Sequence, residues 1–120
     1  MTGPSRILAT GAWIVFILVL SLCAGCLATT VGDTWYENQS VRTTITHTGA
    51  PADLRVQVTV YRISGLSQEP YAVFDAPVSL TAGNNPVSVP GELPPGSYKL
   101  YIYVLGDNDR KTAVIRDITV

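Results

Sequence analysis

Hydrophobic and polar side chains alternate with a period of two along most of the chain after residue 40. The clearest run is residues 54–60 (LRVQVTV), and residues 98–104 (YKLYIYV) repeat it. Successive side chains of a β-strand point to opposite faces, so each run predicts a long strand with one buried face. The alternation changes phase at residues 60–63, which predicts a bulge or a twist at that point of the first strand.

Shorter runs of the same kind predict five more strands, at residues 41–47, 71–74, 78–80, 87–89 and 112–120. Pro77 falls between two of them and indicates an edge strand, because proline cannot donate to a ladder of hydrogen bonds. Seven short strands separated by Gly, Pro and Asn predict one all-β domain, a sandwich of two antiparallel sheets. Its inner faces are expected to hold Ile45, Leu54, Val56, Val58, Val60, Leu80, Val87, Leu100, Ile102, Val104 and some of Val114, Ile115, Ile118 and Val120.

The first 26 residues differ from the rest of the 120-residue chain. Arg6 is their only charged side chain, and residues 7–22 are almost wholly apolar. This is the layout of a secretory signal, but residues 7–28 would also cross a bilayer uncleaved, as a helix roughly 33 Å long. We therefore expect a signal peptide or membrane helix at 1–26, a tether at 27–39 and the sandwich at 40–120. Positive charge before the segment and acids after it predict an extracytoplasmic domain.

Residues 22–26 (LCAGC) resemble the lipobox of prokaryotic lipoproteins, in which small residues precede a cysteine that is lipidated and becomes the new N-terminus. Ala24, Gly25 and Cys26 match the pattern, whereas Cys23 stands where the family prefers Leu. The resemblance implies lipidation of Cys26, and a diacyl anchor supplies the two chains that stable attachment requires. A zinc site built on the two cysteines would need two more ligands, and the chain has one histidine. We expect no metal and no cofactor.

Residues 93–102 (LPPGSYKLYI) resemble the tyrosine corner and following strand of fibronectin type III and Ig-like domains. The resemblance implies that the Tyr98 hydroxyl bonds back to the preceding connection. The wider order of turns and strands is similar to the cell-adhesion-related β-sandwich modules of bacterial and archaeal surface proteins. That similarity implies an Ig-like or fibronectin type III-like sandwich with an adhesive or scaffolding role. We expect a surface lipoprotein of a prokaryote, of archaeal source. The chain lacks the inter-sheet disulfide and core tryptophan of many Ig domains.

The charge pattern and the inventory of reactive side chains argue against several functions. Residues 27–120 carry a net charge of −2, which supplies no basic surface for nucleic acid. His47 is the only imidazole and is expected to be a half-exposed strand residue, so we expect no enzyme. The acidic cluster at residues 107–109 (DND) is expected to be a turn, because calcium requires six to eight oxygen ligands.

Three surface positions are candidates for modification or binding. Asn38 begins the only N-glycosylation sequon of the chain, which is also explained as a chance triplet in a linker. Tyr101 and Tyr103 are expected to point outward from the strand at 98–104, where they form a partner face or pack against cross-strand neighbours. Outward aromatic residues suit recognition, because they combine a large contact area with a small loss of entropy.

The sequence therefore predicts a membrane-anchored, extracytoplasmic, non-catalytic binding or scaffolding module of the adhesion type, with a protein or glycan partner. The alternative is a pilin-like or archaellum-like subunit, in which the apolar helix builds a filament and the sandwich forms the head. Against that alternative, no processing site of the Lys/Arg-Gly kind precedes the apolar run. A small-ligand or inhibitor module is the third hypothesis.

Overall fold

The computed structural model of the protein describes residues 29–120. These residues form seven strands and confirm the all-β prediction. The strands are β1 (Thr29–Glu37), β2 (Ser40–His47), β3 (Ala52–Ser64), β4 (Ser67–Leu80), β5 (Gly83–Pro90), β6 (Ser97–Leu105) and β7 (Arg110–Thr119). Within this described part, no helix is long and apolar enough to cross a membrane. The expected N-terminal helix and Cys26 lie outside the described residues.

The strands form two antiparallel sheets, as predicted. Three strands pair in the order β1-β2-β5, and four pair in the order β4-β3-β6-β7. The apolar sides of the two sheets contribute to one core cluster, which contains fifteen buried hydrophobic residues. The two strands with the longest alternation, β3 and β6, lie next to each other in the middle of the larger sheet, where both of their edges are paired.

The core confirms the inward side chains predicted from the alternation. Val56, Val58, Val60, Leu100 and Ile102 are at most 1% exposed. The core also takes in five residues that the alternation argument did not include, which are Val31, Val41, Val89, Leu93 and Tyr98. The phase change predicted at residues 60–63 does not occur in β3, whose register with β6 is unbroken through Ile63. The register between β3 and β4 does shift after Val60, but the extra residue lies on β4.

The structure differs from the prediction in two elements. Residues Thr29–Glu37, expected to belong to a tether, form strand β1 and pair along β2. The two short strands expected around Pro77 are one strand, β4, which runs through that proline. The reason is that β4 is an edge strand, so the nitrogen of Pro77 can face away from β3 without loss of a ladder bond. The expected number of strands is correct, but β1 was not predicted and β4 was predicted as two separate strands.

The sandwich has two ends, which we name after their outermost residues. The Thr29 end holds the start of β1 together with the connection between β2 and β3 and the hairpin between β6 and β7. The Leu66 end holds the β3–β4 hairpin, where the Leu66 side chain is fully exposed. The chain therefore enters the sandwich at one end and presents an apolar hairpin tip at the other.

Candidate functional site

The outer surface of the four-stranded sheet carries three outward tyrosines, Tyr61, Tyr101 and Tyr103, which we call the tyrosine face. Tyr61 lies on β3, and the other two lie on β6 between inward residues. All three are partly exposed. The alternation of a central strand causes this arrangement, since its buried positions leave every second side chain on the surface.

The rings of the tyrosine face contact one another and their neighbours. Tyr61 and Tyr101 pack edge to face with 5.2 Å between ring centroids. The Gln68 amide donates to the Tyr101 hydroxyl at 3.3 Å. The guanidinium of Arg110 lies 4.9 Å from the centroid of the Tyr103 ring, which is within the range of a cation–π contact. These contacts hold the rings in place and leave part of their area open to solvent.

Two exposed aliphatic side chains extend the tyrosine face to both edges of the sheet. Across the strands, Val73 is opposite Thr59, Thr59 is opposite Tyr101, and Tyr101 is opposite Ile115. Val73 is 60% exposed and Ile115 is 54% exposed. Apolar side chains scattered singly over a surface are ordinary, but a row of aliphatic and aromatic side chains that crosses a whole sheet, broken only by Thr59, is typical of a contact site.

Charged pairs flank this row on both sides along the strand direction. Arg55 donates to the carboxylate of Asp75 at 2.7 Å on the side of the Thr29 end. Lys99 and Asp117 are 3.6 Å apart on the side of the Leu66 end. All four side chains are exposed or partly exposed, so the pairs contribute little to stability and can exchange partners.

A concavity of about 540 Å³ lies at the Leu66 end, beside the tyrosine face. Its walls come from the β3–β4 hairpin and from the adjoining ends of β6 and β7, and they include Leu66, Gln68, Lys99 and Asp117. Since Gln68 also bonds to Tyr101, the concavity and the tyrosine face are continuous. A partner on the face could therefore reach the concavity.

Two tyrosine hydroxyls, one from the buried Tyr98 and one from the partly buried Tyr36, fasten the connection between β5 and β6. The Tyr98 hydroxyl donates to the carbonyl oxygen of Pro94 at 2.6 Å. The Tyr36 hydroxyl donates to the Gly91 carbonyl and accepts from the Leu93 amide, both at 2.9 Å. Burial raises the pKa of Tyr98 above its ordinary value of 10.0, against the opposing effect of the nearby positive charge of Arg62. These groups act on the fold, since neither hydroxyl is on the tyrosine face.

His47 is buried, where the sequence predicted a half-exposed strand residue. It is 8% exposed at the end of β2. Its Nε2 lies 2.8 Å from the Ala50 carbonyl oxygen, and its Nδ1 lies 3.2 Å from the Thr29 hydroxyl. Because a carbonyl only accepts, Nε2 donates to the Ala50 oxygen, and Nδ1 shares a hydrogen bond with the Thr29 hydroxyl. Both ring nitrogens therefore tie the connection after β2 and the start of β1 together.

Asn38 and the acidic cluster at residues 107–109 lie in turns. Asn38 and Gln39 form the two-residue turn between β1 and β2, and both have positive φ, of 52° and 57°. Asn38 is exposed there. In the β6–β7 hairpin, Asp109 contacts Lys111 at 3.1 Å. Within residues 29–120, no three His, Cys, Asp or Glu side chains lie in a group that could hold a metal ion.

Sequence reasoning did not identify Tyr61, Val73 or Ile115 as part of the candidate site. The alternation of residues 55–61 already places Tyr61 on the outward side of β3, so the pattern contained that information. Val73 and Ile115 could not be identified from the sequence in this way, because only the pairing of β4 and β7 with the central strands brings them into the row. No protein-family model matches the chain, and no curated protein matches it either.

Proposed function

We propose that this protein is a membrane-anchored, extracytoplasmic, non-catalytic binding module of the adhesion type, and that it contacts its partner through the tyrosine face. The observation that carries the proposal is the continuous exposed row across the four-stranded sheet. This row joins Val73 on one edge strand through Tyr101 to Ile115 on the other. A rigid sheet surface of this kind can bind without reorganising.

The chemistry of the face supports recognition. Tyrosine rings offer a large contact area at a small cost in side-chain entropy, and their hydroxyls bond to polar groups of a partner. Tyr101 is held by Tyr61 and Gln68, so its ring is oriented before a partner arrives. The exposed ion pairs around the row provide a polar rim, which is the usual arrangement around the centre of an interface.

The anchor is part of the same proposal. Lipidation of Cys26, or retention of the apolar segment as a membrane helix, would attach the chain just before Thr29, where β1 begins. The sandwich would then stand on the extracytoplasmic side with the Leu66 end far from the attachment point. Asn38 is exposed in a turn at the Leu66 end, which makes it an accessible acceptor for glycosylation.

For the fold class we propose an Ig-like sandwich of the fibronectin type III kind. Its support is the division of seven strands into sheets of three and four, with β3 and β6 adjacent in the larger one. The bond from Tyr98 back to Pro94, four residues upstream, is the contact that defines a tyrosine corner. This class is common among surface modules that bind other molecules, which agrees with the proposed role.

The test is binding of the full chain to envelopes purified from the cells that produce it. We expect Tyr101→Ser with Tyr103→Ser to weaken binding about tenfold or more, since aromatic anchors account for much of the energy of an interface. Pretreatment of the envelopes with protease, or with periodate, distinguishes a protein partner from a glycan partner. Val73→Lys serves as a second variant, because it adds a charge to the face at an exposed position.

The control is Trp35→Ser. Trp35 is 43% exposed and lies on the three-stranded sheet, away from the tyrosine face. Its loss should leave binding unchanged. Binding that survives both the double tyrosine variant and Val73→Lys, with melting temperatures close to that of the original protein, would show that the tyrosine face is not the site.

A further inference from the structure

The outer edge of β7 is the most regular of the four sheet edges in the described part of the chain. The edge strands are β1, β5, β4 and β7. Both β4 and β5 contain two prolines, and β1 is bulged between Val31 and Thr34. By contrast, β7 contains no proline, and its register with β6 is unbroken from Thr112 to Thr119. Its one register shift lies at the start of the strand, where Lys111 is the extra residue between Arg110 and Thr112. Prolines and bulges are the devices that block pairing at an edge, and β7 has neither along this length.

The backbone groups that β7 presents to the outside follow from its last bonds to β6. Gly96 and Val120 exchange both backbone hydrogen bonds, at 2.9 and 2.8 Å. In an antiparallel pair such residues alternate with residues whose N–H and C=O point the other way. Ala113, Ile115 and Asp117 therefore direct their N–H and C=O groups away from β6. A second strand laid along β7 would find a row of exposed donors and acceptors. Within this row the Ile115 carbonyl accepts from the exposed Arg116 guanidinium at 3.1 Å, a bond that the second strand would replace.

The side chains along this edge are charged in a self-complementary way. Lys111 stands near the start of β7 and Asp117 near its end, with the small Ala113 and the exposed Ile115 between them. Lys111 contacts Asp109 and Asp117 contacts Lys99 within the chain, but all these pairs are exposed or partly exposed and exchange readily. Two copies of β7 running in opposite directions would bring each positive end to a negative end.

We propose that β7 pairs antiparallel with β7 of a second copy of this chain. The two-fold axis passes through Val114, and Lys111 of each copy faces Asp117 of the other. The pairing joins two four-stranded sheets into one of eight strands. It does not rest on the function proposed for the tyrosine face, because the hydrogen bonds form along the edge of the sheet, although Ile115 and Asp117 border both the edge and the face.

The charges of the side chains favour the register with the axis at Val114 over the neighbouring registers. The two copies can form hydrogen bonds only in registers that place residues whose N–H and C=O groups point away from β6 opposite each other. An axis at Arg116 would place the two positively charged Arg116 residues on directly opposed positions. An axis at Ile115 would place Asp117 opposite Ala113 and form no ion pair. The axis at Val114 forms two ion pairs, on directly opposed cross-strand positions where opposite charges stabilise and like charges destabilise.

The symmetry of the pair has a consequence for the whole assembly. The two-fold axis is perpendicular to the sheet, so the tyrosine faces of both copies lie on the same side, next to each other. Because the strands are antiparallel, the two Thr29 ends point in opposite directions. The pair therefore presents a doubled tyrosine face between two attachment points at its opposite ends.

The test uses the full chain in detergent micelles with a reducing agent, and sedimentation velocity from micromolar to millimolar concentration. We expect a concentration-dependent dimer. Lys111→Asp alone and Asp117→Lys alone should each weaken it about tenfold or more, because each puts two like-charged pairs at the interface. An equimolar mixture of the two variants should restore the dimer as a mixed pair, which native mass spectrometry identifies by mass.

Two further variants separate pairing from folding. Ile115→Pro removes an N–H that points away from β6, so it should abolish the dimer without removing a bond of the β6–β7 ladder. Asp75→Lys makes the same charge change on the opposite edge strand, β4, and should leave the dimer intact. A chain that is monomeric throughout the concentration range overturns the proposal. So does a dimer that the charge variants leave unchanged, or one that the mixture fails to restore.

Discussion

At the scale of single residues, buried polar groups hold the connections of the sandwich in place. The connection after β5 is fastened by the hydroxyls of Tyr36 and Tyr98. It also needs a glycine at position 91, because a side-chain carbon there would overlap the ring of Phe74. A buried polar group costs free energy unless it is bonded, so each of these hydroxyls both requires and stabilises one geometry of the connection.

We expect Tyr98→Phe to destabilise the protein by about 1 kcal/mol near neutral pH, because the bond to the Pro94 carbonyl is lost. Burial raises the pKa of Tyr98, so the folded protein holds this proton more tightly than the unfolded chain does. The stabilisation is therefore complete below the ordinary value of 10.0 and declines as the pH rises from there through the raised pKa.

Urea unfolding at neutral and alkaline pH measures this effect. The difference in unfolding free energy between the original protein and Tyr98→Phe should shrink as the pH rises above the ordinary tyrosine value. Tyr103→Phe, on the outer face, is the matched control and should change stability little. A Tyr98→Phe penalty that stays constant into the alkaline range would contradict the proposed coupling between burial and ionisation.

At the scale of elements, the open side between β1 and β7 is closed by one long side chain. Arg116 lies on the inner side of β7, and its guanidinium donates to the Val31 carbonyl at 3.0 Å and to the Gly32 carbonyl at 3.5 Å. The Thr43 hydroxyl donates to the Asp33 carbonyl at 2.8 Å. The bulge of β1 exposes these carbonyls, which the regular ladder to β2 would otherwise use.

We expect Arg116→Met to lower the free energy of unfolding by about 1–2 kcal/mol, since it keeps most of the apolar stem and removes the charged donor. Backbone amides of β1 should exchange with solvent faster, while those of β3 and β6 should not. Arg42→Met is the control, because the Arg42 guanidinium bonds only within the β1–β2 hairpin. Equal effects of the two substitutions on β1 exchange would argue against the role of Arg116 in joining the sheets.

At the scale of the whole molecule, the sandwich separates its entry point from its most exposed surfaces. The chain enters at Thr29, whereas Leu66 lies at the far end and the tyrosine face runs along one side. A domain attached at one end keeps such a side surface open to large partners. The proposed anchor is therefore compatible with binding through the tyrosine face, because attachment just before β1 would not cover that face.

The proposed lipid anchor predicts the mass of the protein extracted from its own membranes. We expect a mass that fits Cys26 to Val120 plus a diacyl lipid, because the resemblance of residues 22–26 to a lipobox implies cleavage before Cys26. Cys26→Ser should abolish the lipid addition, and Cys23→Ser is the control that should not. A mass that includes residues 1–25 would instead establish an uncleaved membrane helix, and partners would then be sought within the bilayer.

Alternation in the sequence was sufficient to predict much of the fold. The period-two pattern of residues 54–60 and 98–104 identified the two central strands, their buried faces and the outward direction of Tyr101 and Tyr103. This succeeds because a paired strand with one face against a core must place apolar side chains at every second position. The position of Pro77 likewise indicated an edge strand, because its chemistry excludes a central one.

Only the tertiary structure determined which strands lie at the edges of the sheets and which residues those strands bring together. Residues 29–37 carry a broken alternation that is typical of a tether, and they become β1 because β2 offers an unpaired edge and Arg116 and Thr43 accommodate the bulge. The row from Val73 to Ile115 and the free edge of β7 depend on which strands are neighbours. Strand order brings together residues far apart in the chain, and no local pattern encodes it.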